Sequence, residues 1–389
     1  MFKIQTLNKI DPIGLKNFPL DQYEIASEFQ NPDAIVVRSQ SMLEMDFPSS
    51  LKAIARAGAG VNNIPIEKCT TGGIVVFNTP GANAHAVKVL VIGSMILSAR
   101  HLADSIEWAK TLKGKGEEVP ALVESGKKNF GGNEIRGKTL AVIGLGAIGV
   151  LIANAAQALG MEVLGYDPYI SVKQAWRLSR NVKQAEGIEV LLSNADYVTI
   201  HIPQTPETKG YINKDKLRMM KNGVRIMNFA RGGLVKKADL AEALESGKVK
   251  CYVTDFPEDD VLQMKNVIAI PHLGASTEES EQNCAVMAVD QVRDYLENGN
   301  IINSVNFPEA EMERHGGPRL IIANKNIPNM VSQISSLLAS QGLNIANMLN
   351  KNKADIAYNI IDLDGALPLN GLVDKLKSIE GIIMVRVLP

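Results

Sequence analysis

Three glycines, Gly144, Gly146 and Gly149, interrupt the apolar run AVIGLGAIG. Leu140 to Ile143 reads as a strand and Ala147 to Leu159 as a helix, so the glycines fall where one turns into the other. Gly144 permits a tight turn, Gly146 lets a pyrophosphate reach the backbone, and Gly149 lets helix and strand pack closely. Ala147 and Ile148 open the helix, whose unpaired amides and positive dipole end suit a phosphate. The next apolar run, MEVLGYD, ends on Asp167, roughly 20 residues past the first glycine, where a carboxylate accepts hydrogen bonds from ribose hydroxyls. Asp167 would repel a 2′-phosphate, and Pro168 and Tyr169 bring no cation to hold one. The expected cofactor is therefore NAD rather than NADP. Glycines also serve ordinary turns; strand, helix and carboxylate in register make this pattern a dinucleotide site.

Later apolar runs also end in polar groups: His201 in TIHIPQTPET, Arg231 in NFARGGLV, Asp255 in TDFPEDD and His272 in IPHLGAST. A guanidinium fork binds a carboxylate through two parallel bonds. An imidazole exchanges its proton near neutral pH. In a doubly wound sheet the ligand lies beyond the carboxyl ends of the strands, where these groups stand.

The elements that must position them alternate. From 140 to about 282, short β-branched runs are separated by helical patterns, which predicts a Rossmann-type parallel sheet wrapped by helices. The first hundred residues repeat the style more weakly in FKIQTL, AIVVRS, LKAIARAG and IVVFNT. They form a second, smaller, flavodoxin-like α/β unit. One helix from about 84 to 112 would lead from the first unit into the second, and another from 277 to 297 would lead back. Residues 306 to 319 gather charge, Pro and Gly and read as a linker. Beyond it the order is βαββαβ, a ferredoxin-like arrangement whose last helix is LNGLVDKLKSI. The expected domains are 1–98 with 284–310, then 99–283, then 318–389.

Length and composition set limits. A chain of 389 residues is too long for one ordinary core. Lys and Arg number 41 against 42 Asp and Glu, a net charge of −1, so no nucleic acid or membrane partner is expected and anions must be held locally. Cys69, Cys251 and Cys284 lack the spacing of a metal site or a disulfide framework, which fits reduced thiols in the cytoplasm and no metal. The N-terminal stretch has no apolar core of export-signal length. The glycine-bearing run at 140–153 is shorter than the roughly 20 residues of a membrane span.

HIPQTPET, NFARGGLV and PHLGAST, in this order and spacing, resemble the blocks of the D-isomer-specific 2-hydroxyacid dehydrogenases over about residues 35 to 310. The resemblance implies that Arg231 binds the substrate carboxylate, that His272 takes the hydroxyl proton, and that a nearby acid steadies the imidazolium. The family's Asp-Val-Phe, two variable residues and Glu become Thr254, Asp255, Phe256, Pro257, Glu258 and Asp259 here. Counted from Phe256, Asp259 takes the acid's place, ahead of Glu258 and Asp260. Asp255 is left to the cofactor, and His201, Pro203, Thr208 and Ala230 would line its binding side.

RAGAGVNNI, followed by FNTPGANAHAVKVL, is similar to the substrate-side motif of the D-3-phosphoglycerate dehydrogenases in this family. Backbone amides of Ala59, Gly60 and Val61 would clasp a carboxylate. Arg38 and Arg56 are candidates for a phosphate. Lys88 stands where the family helix often carries Glu; it would help hold a trianion or simply lie exposed on its helix.

The last module resembles an ACT domain, which implies amino-acid regulation. Asn324, Asn326 and Asn344 occupy the family's serine-binding places, with Asn329 where Gly is preferred; such amides are also common turn residues. The resemblance thus implies NAD-dependent oxidation of 3-phosphoglycerate, feedback by serine, and a homodimer or homotetramer. A glyoxylate or hydroxypyruvate reductase and an NAD-sensing corepressor share the same blocks; the ACT-like tail speaks against both.

Overall fold

The computed structural model describes residues 1–365 and 371–389. Leu369 and Asn370, with which the sequence opens its last expected helix, lie outside the described residues. The chain divides into two compact units, Met1–Ala82 with Glu281–Pro389, and Asn83–Ser280.

In the first unit, β1 (Phe2–Leu7), β2 (Tyr23–Ala26), β3 (Ala34–Val37), β4 (Ala53–Arg56) and β5 (Val75–Phe77) form a parallel sheet in the order β2-β1-β3-β4-β5. This is the flavodoxin-like order. The apolar runs AIVV and VVF are buried throughout, as strands covered on both faces must be. The sequence showed no sign of β2, whose YEIA buries only Tyr23.

In the second unit, β6 (Thr139–Ile143), β7 (Glu162–Tyr166), β8 (Lys183–Gln184), β9 (Tyr197–Ile200), β10 (Val224–Asn228), β11 (Val249–Thr254) and β12 (Val267–Ala269) run parallel in the order β12-β11-β10-β9-β6-β7-β8. The strand order reverses between β6 and β9, the switch point at which doubly wound sheets bind ligands. All these strands end at one edge of the sheet.

The expected helix over 84–112 is two helices, Ala84–Ala99 and Leu102–Lys110, with His101 between them in the left-handed region at φ 49°. Val87, Val91, Met95 and Ala99 pack with Val150 and Ala153 of the glycine-turn helix, Ala147–Ala158. That packing places the segment in the second unit from its first turn, earlier than the expected boundary at 98. Among the described residues no single helix is long and apolar enough to cross a membrane; Ala84–Ala99 and Leu102–Lys110 are so only as a pair, and they bend by 68°.

The returning helix, Glu278–Asn298, leads to the terminal sheet of β13 (Arg319–Lys325), β14 (Ile345–Lys353), β15 (Ile356–Leu363) and β16 (Ile382–Leu388). Its antiparallel order β14-β15-β13-β16 is ferredoxin-like. Alternate residues explain why this module shares a unit with the first sheet. Leu320, Ile322, Ile361 and Leu363 pack under the module's own helices, Met330–Ser340 and Leu372–Lys377. Ile321, Ala323, Tyr358 and Ile360 join the core of Ile4, Phe77, Val289 and Phe307 instead. The segment expected as a linker is seated too, with Phe307 and Ala310 buried.

Candidate active site

Gly144 leaves β6 at φ +91°, and a Cβ there would stand 2.6 Å from the His201 carbonyl oxygen. A Cβ on Gly149 would meet the Gly144 carbonyl oxygen at 1.9 Å. Neither position admits a side chain. Gly146 differs, because nothing lies within 4 Å of its missing Cβ. Two of the three glycines are thus required by the chain's own packing, while the third borders open space, which is the cradle a pyrophosphate needs. Asp167 Oδ2 accepts the Leu145 amide at 2.8 Å and Oδ1 the Tyr169 amide at 2.9 Å. The carboxylate holds the turn in shape, and each oxygen keeps a lone pair for a ribose hydroxyl.

The remaining polar strand ends stand at the same edge. His201 follows β9 with Nε2 2.7 Å from Thr199 Oγ1. Burial pushes its imidazole down to about 3, so the ring is neutral. Thr208 Oγ1 donates to the Pro203 carbonyl and accepts the Thr205 amide, both at 2.7 Å, which shapes the loop after His201.

Asn228, fully buried at the end of β10, directs Arg231. Its Nδ2 donates to the Arg231 carbonyl at 2.9 Å and its Oδ1 accepts the Ala230 amide at 3.2 Å. The Arg231 guanidinium is exposed, with Nη1 donating to the Ala230 carbonyl at 2.6 Å. Asn228 was not singled out from the sequence; the signal available was a polar residue closing an apolar strand just before ARGG.

Asp255 follows β11 and is 1% exposed. Its Oδ2 accepts the Gly274 amide at 3.1 Å, and its Oδ1 is buried without a partner. Burial raises its carboxyl above the usual range, while His272, the Gly274 amide and Arg231 pull it back. His272 follows β12, is exposed, and packs its ring against Phe256, centroids 4.7 Å apart and planes tilted by 51°. Neighbouring strands β10, β11 and β12 therefore present Arg231, Asp255 and His272 in turn.

Residues 92–274 match the D-isomer specific 2-hydroxyacid dehydrogenase family, NAD binding domain. The chain is 31% identical to the D-3-phosphoglycerate dehydrogenase of Haemophilus influenzae, covering 95% of this chain and 90% of that one. The chain belongs to the D-3-phosphoglycerate dehydrogenase family. It is 35% identical to the Methanocaldococcus jannaschii member over 81% of its own length, but spans only 60% of that longer relative. The NAD+-bound 3-phosphoglycerate dehydrogenase structure from Entamoeba histolytica aligns with a TM-score of 0.60 at 27% identity, over 78% of this chain and 98% of that one.

The acidic residues that follow Phe256 all find partners away from the His272 ring in the described hydrogen bonds. Asp259, expected beside His272, is exposed at the start of a short helix, Asp259–Leu262, and accepts from Gln263 Nε2 at 2.8 Å. Lys237 Nζ holds Glu258 Oε2 at 2.7 Å and Asp260 Oδ1 at 3.1 Å.

In the first unit the turn after β4, RAGAG, is held from within. Arg56 Nε donates to the Arg38 carbonyl at 2.9 Å and its Nη1 to the Gly60 carbonyl, so this guanidinium is engaged in shaping the turn. Among the described residues no hydrogen bond uses the amides of Ala59, Gly60 or Val61. Arg38 pairs with Glu281 at 2.8 Å. Lys88, on helix Ala84–Ala99, is half-buried in the second unit.

In the terminal module a cavity of about 280 Å³ is lined by Asn324, Asn326, Asn329 and Asn350, among others. Asn329 sits at φ 70°, in the left-handed region that favours glycine. Asn324 is internally satisfied: its Oδ1 accepts from Asn359 at 2.8 Å and its Nδ2 donates to the Lys325 carbonyl. Asn344 lies outside this cavity and donates to Asp364 at 2.6 Å.

Proposed function

We propose that this chain oxidises D-3-phosphoglycerate at C2 to 3-phosphohydroxypyruvate, the entry reaction of serine synthesis, with NAD as cofactor. The observation that carries the reading is the row of Arg231, Asp255 and His272 on adjacent strand ends, at the same edge as a glycine turn with open space at Gly146. NAD, when bound, supplies the hydride acceptor; Gly146 and the amides of Ala147 and Ile148 would hold its pyrophosphate, and Asp167 its ribose.

Arg231 would bind the substrate carboxylate through its planar fork and stabilise charge on the C2 oxygen. His272 would accept the hydroxyl proton. Ala230, Pro203 and Thr208 would line the cofactor's side of the loop edge. The first unit offers the unspent amides of Ala59, Gly60 and Val61, with Arg38, for an anionic group.

Three further readings rest on the family. The terminal module is an ACT domain that binds serine, with Asn324 and Asn326 on one cavity and Asn344 at a separate place. The enzyme works in the cytoplasm, in keeping with the buried thiols of Cys69 and Cys251. It assembles as a dimer or tetramer; Val89 at 62% and Ile106 at 51% exposure give the helices after Asn83 an apolar surface to cover.

The purified chain tests the reading when mixed with NAD and candidate acids while the absorbance of the reduced nicotinamide is followed. Turnover is expected with 3-phosphoglycerate, with kcat/KM reduced about 100-fold or more in Arg231→Ala. A preference for glyoxylate or hydroxypyruvate reduction would overturn the substrate assignment. Rates unchanged at millimolar serine would remove the regulatory part.

A further inference from the structure

In this fold the imidazole that takes the proton needs a carboxylate to orient it, and the sequence pattern nominates an acid counted from Phe256. None of the three acids in that loop meets the requirement. Asp259 bonds Gln263, the residue that caps its own short helix, and Glu258 and Asp260 share Lys237.

Asp255 remains, set at the foot of the loop. It is buried, and its Oδ2 is tied to the amide of Gly274, two residues past His272. Phe256, the residue beside it, packs against the His272 ring in a tilted contact. One bond and one ring contact thus fix the His272 segment against the Asp255 segment. The second oxygen, Oδ1, is buried without a hydrogen-bond partner among the described residues. A buried carboxylate oxygen with an empty acceptor position calls for a cationic or N–H partner. His272 and Arg231 are the two cations whose charge bears on it. Arg231 already spends an N–H on its own Ala230 carbonyl, whereas the His272 ring makes no hydrogen bond among the described residues.

We infer that Asp255, rather than Asp259, is the positioning residue for His272, its Oδ1 accepting an imidazole N–H and favouring the protonated ring. This rests on the dehydrogenase reading above and departs from the sequence expectation that Asp255 serves the cofactor. The chain shortens the family's spacing by moving the acid from the loop to the strand end.

Asp255→Asn, compared with the wild-type enzyme and with Asp259→Asn, tests it. In Asp255→Asn we expect kcat to fall about 100-fold with KM for phosphoglycerate within about twofold. The acidic limb of the kcat/KM profile should move to lower pH by about one unit, because the imidazole loses the charge that favours its proton. The dissociation constant for NAD, from equilibrium fluorescence titration, should stay within about twofold of wild type, and the melting temperature should not fall.

Two results overturn the assignment: a tenfold loss of NAD affinity in Asp255→Asn with an unmoved pH limb, which makes the carboxylate a cofactor ligand, or the kcat loss and limb shift appearing in Asp259→Asn instead. A wild-type enzyme that binds NAD yet oxidises no 2-hydroxy acid would overturn the dehydrogenase reading, and this assignment with it.

Discussion

Thr199 Oγ1 and His201 Nε2 lie 2.7 Å apart where β9 meets the cofactor edge. Burial holds the ring neutral, with its titration pushed down to about 3. In the unfolded chain the same imidazole titrates near 6.5. Between these values the unfolded state binds the proton and the folded state does not, so stability falls as pH drops through this window. His201→Gln should remove that share. Going from about pH 7 to about pH 4.5, it should lose on the order of 2 kcal/mol less than wild type, allowing for the ring's partial contact with solvent. Urea unfolding at the two pH values measures it; parallel losses would mean that the ring protonates within the fold.

The second and third glycines of the turn separate folding from binding. Gly149→Ala places a methyl 1.9 Å from the Gly144 carbonyl, a backbone atom that cannot step aside. It should destabilise the enzyme by about 3 kcal/mol, at the upper end of overpacking costs. Gly146→Ala meets nothing within 4 Å and should melt like wild type. Its methyl would instead occupy space a phosphate needs, weakening NAD about tenfold or more in a binding titration. NAD affinity unchanged in Gly146→Ala would place the pyrophosphate elsewhere.

Asp167 links the same two properties. Replacing it by Ala leaves the Leu145 and Tyr169 amides without their acceptor, at a cost of about 1–2 kcal/mol for the partly exposed turn. It also removes the charge set against a 2′-phosphate. The expected signature is weaker NAD binding together with a narrower gap between the NAD and NADP dissociation constants. A gap as wide as in wild type would show that discrimination does not come from this carboxylate.

These contrasts mark what sequence can carry. The glycine turn was legible because its requirement is steric and local: the spacing of Gly144, Gly146 and Gly149 already encodes which backbone atoms must meet. Arg231 and His272 were legible because parallel strands bring their ends to one edge. The surroundings of Asp259 were not legible, because counting from Phe256 cannot see that Lys237, 21 residues before Glu258, draws in both of its neighbours. The Asp255–Gly274 bond spans 19 residues and has no sequence periodicity to betray it. The seating of the terminal module was hidden for a related reason. Both faces of RLIIANK are apolar, which says that both are covered but not by what.

That seat turns on Arg319, which is fully buried and uses all five of its N–H groups. Nε and Nη2 grip Asp362 at 2.6 and 2.9 Å; Nη1 reaches the carbonyls of Asn298 and Met312, and Nη2 that of Glu313, at 2.8–2.9 Å. The ion pair is a cross-strand pair of the terminal sheet, and the carbonyls belong to the segment that leads into it. Removing one partner strands a buried charge, so Arg319→Met or Asp362→Leu should each cost about 3–5 kcal/mol, whereas the double variant, with no charge left, should recover part of that loss. Arg319→Met also frees three carbonyls, so it should expose residues 306–318 to limited proteolysis while Asp362→Leu does so less. If Arg319→Met melts like wild type and resists cleavage, the apolar contacts of Ile321, Ala323, Tyr358 and Ile360 hold the module alone, and the guanidinium contributes orientation rather than stability.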